Sequence, residues 1–162
     1  MANNFYRFRS EWPLTAPRGD VYRALSELDD YPAWWPEVVS VTRISPDAAE
    51  LRCRSLLPYD LVFTTRQSRQ DPGAGVLEAH LEGDLAGFSR WTISPEGTGT
   101  VAVFEEEVTA EKSLLRRTGA VARPAFNANH SLMMRHGHRG LRTYLAGMAL
   151  GRRLLTPEKP VG

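Results

Sequence analysis

The run Phe126–Met148, FNANHSLMMRHGHRGLRTYLAGM, decides how the rest of the chain is read. Phe126, His130, Met134, Gly137, Leu141, Leu145 and Met148 recur at three- and four-residue steps, which puts them on one face of a long helix. Arg123-Pro124 marks a boundary or kink just ahead of it, because proline drives its predecessor out of the helical region. Ser113–Ala122, which contains Gly119, predicts a weaker helix. Upstream of Ser113 the period changes from helical to two.

Six strand-like runs precede the helices: Val38–Ile44, Ala49–Leu56, Tyr59–Arg69, Gly75–Glu82, Ala86–Ile93 and Thr100–Ala110. Ser45-Pro46-Asp47, Leu57-Pro58, Asp71-Pro72-Gly73, Gly83-Asp84 and Gly97-Thr98-Gly99 separate them, which is the punctuation of an antiparallel meander. Further back, Asn4–Leu14 alternates, with Tyr6, Phe8, Trp12 and Leu14 on one side and Arg7, Arg9 and Glu11 on the other. Thr15-Ala16-Pro17 opens a helix carrying Val21, Leu25 and Leu28, which Asp29-Asp30 closes. Two prolines in Tyr31–Val38 leave room there for one helical turn. The order predicts an α+β domain: a seven-stranded curved antiparallel sheet wrapped around a long C-terminal helix, with two short helices after the first strand. A helix gripped at one end leaves an apolar cleft beneath the remainder, and that cleft is the expected binding site.

Composition sets the outer limits. The 162 residues suit one domain over residues 1–155, with a flexible tail at 156–162 that contains Pro157 and Pro160. Hydrophobic residues at 42% and charged residues at 24% exclude an intrinsically disordered chain. Twenty Lys and Arg against 19 Asp and Glu leave +1, so no global field marks a nucleic-acid binder. The single cysteine, Cys53, excludes an internal disulfide and a cysteine-rich metal site, and it reads as an inert buried thiol. No apolar run reaches the roughly 18 residues of a membrane span, and MANNFYRFRSEWPL lacks an apolar leader core. The expectation is a cytoplasmic protein without integral membrane contact.

Charge is distributed unevenly. Nine cations and no carboxylate lie between Lys112 and Pro157, whereas residues 1–111 hold ten cations and 18 acids, a balance of −8. Either the basic C-terminal segment packs over an acidic body, or it offers a face to phosphates, an anionic membrane or an acidic partner; a homodimer is also open.

Two residues stand out as chemistry. His130 lies on the apolar stripe of the long helix, as a polar head group or general acid/base in the cleft, or as a core histidine satisfied by a sheet carbonyl or Asn127. In Thr100–Ala110, alternation sends either Val101, Val103, Glu105 and Glu107 inward or Ala102, Phe104, Glu106 and Val108. The second set is the more apolar, so Glu106 is the candidate buried carboxylate. Burial would raise its pKa, and a Glu106–His130 pair reads as an acid/base couple or a structural ion pair. Trp34, Trp35, Phe63, Trp91, Phe104, Phe126, Met134 and Gly137 complete the expected lining.

Other motifs lead nowhere. His136 and His138 point roughly 200° apart on a helix and cannot chelate one metal, and His80 is isolated on a strand. Arg18-Gly19-Asp20 lies at a helix start and is not read as an adhesion signal. There is no phosphate loop, dinucleotide fingerprint or nucleophile elbow, so neither cofactor nor metal is expected.

The element order and four segments resemble the START-like helix-grip superfamily, within it the bacterial polyketide cyclase/dehydrase and lipid transport group. The segments are YPAWWPEVV (Tyr31–Val39), LLPYDL (Leu56–Leu61), EGDLAG (Glu82–Gly87) with Trp91, and NHSLMMRHGHRGL (Asn129–Leu141). The resemblance extends over residues of about 5–148. It implies a cavity that takes a small hydrophobic or aromatic molecule, a lipid or a polyketide-like compound. The alternatives are a cyclase or dehydratase using a cavity acid/base, with Glu106 and His130 as the candidates, and an interaction module built on the basic helix. No catalytic set of the cyclases maps onto this chain residue by residue.

Overall fold

The computed structural model describes residues 4–111 and 121–155. Along the chain run β1 (Phe5–Leu14), α1 (Arg18–Ser26), a single 3-10 turn (Leu28–Asp30) and α2 (Tyr31–Trp34). Six strands follow: β2 (Val38–Ser45), β3 (Ala48–Cys53), β4 (Leu61–Asp71), β5 (Val76–Gly83), β6 (Leu85–Glu96) and β7 (Gly99–Ala110). The last described element is α3 (Ala122–Leu155). The predicted helix over Ser113–Ala122 falls almost wholly outside the described residues, as does the predicted tail.

All seven strands form one antiparallel sheet in the order β1-β7-β6-β5-β4-β3-β2, so each hairpin pairs with its neighbour and β1 joins the far edge through β7. Pairing is continuous from Phe5↔Thr109 to Leu14↔Thr100. Bulges at Val38/Ser40, Arg43/Ser45 and Gln67/Arg69 sit on the β2–β5 side, where extra residues bend strands and increase twist. The sheet thereby curls around α3.

Sequence boundaries shift in three places for physical reasons. α1 stops at Ser26 with Glu27 as its C-cap, so Asp29 and Asp30 belong to the separate 3-10 turn rather than closing the helix. β3 ends at Cys53 rather than Leu56: Asn129 of α3 accepts a hydrogen bond from the Leu56 amide (2.7 Å), taking the chain out of the ladder. Pro124 stands in the first turn of α3, where its missing N–H costs nothing.

The tight loop between β4 and β5 shows how turns are held. Gly75 has φ +71, and a Cβ there would run into the Ile93 carbonyl. Arg18 donates to the same Ile93 oxygen (3.1 Å) and to the carbonyls of Pro72 and Gly73, so the RGD tripeptide serves to clamp this loop onto α1.

One end of α3 sits on a solid aromatic cluster. Trp12 meets Trp35, Trp91 and Trp34 at centroid distances of 5.5, 4.8 and 6.5 Å. Trp35 donates its indole N–H to the Met133 carbonyl (2.9 Å). It reaches that backbone because Gly137 has no side chain: a Cβ there would stand 2.5 Å from Trp35 Cε2 and 2.9 Å from Trp12 Cη2. One turn later Gly140 lets the Trp34 carbonyl touch the helix backbone. Beyond this, Arg152 pairs with Asp20 of α1 at 3.0 Å.

Candidate functional site

Between the sheet and the other half of α3 the packing opens into a cavity of about 360 Å³. Its floor is built by cross-strand rows, which follow from the registers. Phe8 faces Glu106, which faces Ser89, then Ala79, then Gln67. On one side of this row runs Phe104, Trp91, Leu77, and on the other Tyr6, Val108, Gly87, Leu81, Thr65. Leu51, Cys53 and Phe63 extend the floor, and Phe126, Asn129, His130, Met133 and Met134 of α3 form the roof. The mouth is polar and exposed, at Arg43, Asp47, Gln67, Arg69 and Gln70.

Alternation in β7 is strict. Thr100, Ala102, Phe104, Glu106, Val108 and Ala110 are all buried, so the apolar register holds and Glu106 points into the cavity. On the other face Glu107 pairs with Arg7 at 2.5 Å. His130 comes down from α3 with its Nε2 4.0 Å from Glu106 Oε1 and its ring stacked on Phe8, centroids 3.8 Å apart. Burial pushes the Glu106 carboxyl up to about 7 and pulls the His130 imidazole down to about 4. Both shifts favour the uncharged form, so over most of the range between them the two groups face each other neutral. Neither a sheet carbonyl nor Asn127 satisfies His130, because stacking on Phe8 fixes the ring and Asn127 is exposed.

Most of the expected lining is brought together here: Trp35, Phe63, Trp91, Phe104, Glu106, Phe126, His130 and Met134 all border the cavity. Two residues are corrected. Trp34 stacks on Trp35, centroids 5.4 Å apart, but does not border the cavity; it lines a shallow groove with Pro36, His136 and Tyr144. Gly137 lies under the indoles of Trp35 and Trp12, away from the void. The rest of the lining was missed. Tyr6 and Phe8 were visible as the inward side of β1, but their place beside Glu106 depends on the long-range β1–β7 pairing. Ala79, Ser89 and Met133 carried no signal of their own.

Cys53 is buried, and burial pushes its thiol up to about 12, which removes it as a nucleophile. His136 pairs with Glu37, and His138 reaches the Pro13 carbonyl at 2.8 Å. Among the described residues no three His, Cys, Asp or Glu side chains gather as a metal site, and no helix is long and apolar enough to cross a membrane.

Comparisons with known proteins agree with this geometry. The chain is similar in fold to a START superfamily protein from Mycobacterium smegmatis, with 15% identity and a TM-score of 0.70 over 90% of this chain and 99% of that one. It is similar to the Zhui aromatase/cyclase from Streptomyces sp. R1128, with 13% identity and a TM-score of 0.69 over 88% of this chain and 94% of the other. The di-domain ARO/CYC BexL of the BE-7585A biosynthetic pathway aligns at 19% identity and a TM-score of 0.66, over 86% of this chain and 50% of that chain. No curated protein matches the sequence. The family model for polyketide cyclase/dehydrase and lipid transport matches residues 14–133, and the chain belongs to that family.

Proposed function

We propose that this chain binds a small hydrophobic or aromatic molecule, lipid or polyketide-like, in the cavity between sheet and α3. The observation that carries the reading is a ring-lined cavity of about 360 Å³ enclosed between the sheet and α3. Apolar burial at roughly 25 cal/mol per Å² supplies the affinity, and the Glu106–His130 couple orients a polar end. Native against denatured mass spectrometry of the purified protein tests it, together with quenching of the tryptophans on titration with ring compounds. Ala79→Phe, on the cavity floor, should abolish binding; a ligand held equally well by this variant would sink the reading.

A second reading is catalysis. It is favoured by a buried carboxyl that titrates near neutrality 4.0 Å from an imidazole that stays neutral, a pair able to give and take a proton. The cyclase or dehydratase reading requires Glu106→Gln to lose turnover of a poly-β-keto substrate while keeping affinity. The carrier reading requires no turnover at all.

A further inference from the structure

The basic residues of α3 divide into held and free. Arg152 pairs with Asp20 at 3.0 Å, and Arg123 donates to the Phe5 carbonyl (2.8 Å) and lies over the Tyr6 ring. Arg135, Arg139, Arg142 and Arg153 are exposed, and their guanidinium groups have no partner among the described residues. Packing over the acidic body therefore accounts for only part of the charge asymmetry along the chain.

Two of the free arginines stand at one end of the shallow groove between α2 and α3. Arg139 lines it, and Arg135 lies one helical turn before. The other end is acidic. Three contacts give the order along the walls: Glu37, just after α2, pairs with His136; the Trp34 carbonyl lies against Gly140; and Asp30, just before α2, lies beside Tyr144. Burial first, then the charges of Asp30 and Glu27, push the Tyr144 phenol up. Glu27 and Asp30 are exposed and in no ion pair among the described residues, while Asp29 between them is held by Arg43. Pro32, Ala33 and Pro36 supply exposed apolar surface between the two ends.

Such a surface is complementary to itself. A two-fold rotation about an axis through its middle lays the arginine end of one copy on the carboxylate end of the other, twice over, and covers the prolines between them. A lipid sheet or a uniformly acidic partner would meet the arginines but press Glu27 and Asp30 against like charge.

We propose that the α2–α3 groove is the contact of a two-fold homodimer, in which Arg135 and Arg139 of each copy pair with Glu27 and Asp30 of the other. None of these residues borders the cavity, so the contact and the ligand site are separate surfaces. A patch this small and this polar predicts a reversible dimer with a Kd of micromolar order, weakened by salt.

The test is sedimentation velocity of the purified full chain over about 1–300 μM at low salt. The wild type should pass from monomer to dimer within that range. Two variants reverse one end each: Arg135→Glu with Arg139→Glu, and Glu27→Arg with Asp30→Arg. All four positions are exposed, so both variants should keep the wild-type circular dichroism. Each alone should dimerise at least tenfold more weakly, and an equimolar mixture of the two should form a one-to-one heterodimer. Ala33→Arg, at the centre, should abolish the dimer without touching either end. A wild type that stays monomeric throughout would overturn the inference, as would a dimer that survives in both variants or a mixture that fails to pair. Monomeric wild type carried down by phosphatidylglycerol vesicles, and no longer by the Arg135→Glu, Arg139→Glu variant, would overturn it by assigning the arginines to a membrane.

Discussion

The two halves of α3 rest on opposite kinds of interior. From Gly137 onward the helix lies on Trp12, Trp35 and the Trp34 backbone carbonyl, with no room for a methyl group at Gly137 or Gly140. From Phe126 to Met134 it roofs a void into which the enclosed Tyr6 hydroxyl points without a protein partner. One half anchors the helix and the other leaves space beneath it. A rigid anchor lets the roof stay in place without being filled from below, so a cavity can persist in a domain whose core is otherwise close-packed.

The sharpest way to break this contrast is to add one methyl group to the anchor. Gly140→Ala forces the Trp34 carbonyl away and should cost about 4 kcal/mol or prevent folding, judged by denaturant midpoints. Gly147→Ala on the same helix, where a Cβ meets open space, should gain roughly 0.5–1 kcal/mol. Equal effects at the two sites would show that the anchor is not tight.

A smaller effect is expected at the void. Folded Glu106 keeps its proton up to about pH 7, while the unfolded chain releases it near 4.5, so the group's contribution to stability declines as pH rises through that window. His130 runs the other way, its contribution rising with pH between about 4 and 6.5, so the two largely offset each other in the wild type. Glu106→Gln removes one side. The variant should match the wild type near pH 4 and exceed it by about 3 kcal/mol near pH 8. A constant difference across pH would show that Glu106 has the same pKa folded and unfolded.

The least change in stability belongs to the floor. Ala79→Phe fills empty space and should shift stability by no more than about 1 kcal/mol while it eliminates the ligand. A loss as large as that of Gly140→Ala would mean the void is smaller than its walls suggest.

The same contrast explains what could be read from the sequence. Period and punctuation gave the strands, the long helix and the inward direction of Glu106, because these depend on neighbours two to four residues away. The stripe on α3 showed which side is buried but not what lies under it: Met134 and Gly137 share that side, yet one faces a void and the other an indole. Trp34 and Trp35 are adjacent and chemically alike, and only the placement of α2 decides which one lines the cavity. That the Tyr6 hydroxyl is enclosed without a partner is a property of the assembled interior, with no local trace in the chain.

The pairing of β1 with β7 has a consequence in time. Phe8 and Tyr6 are made well before their partners Glu106 and Val108, which lie roughly a hundred residues later, and the roof follows later still. As the chain leaves the ribosome, β2 to β6 can zip hairpin by hairpin, while β1 waits as an unpaired edge carrying Tyr6, Phe8 and Trp12. The cavity thus comes into being only after β7 and α3 have been made, so it is among the last parts of the interior to form.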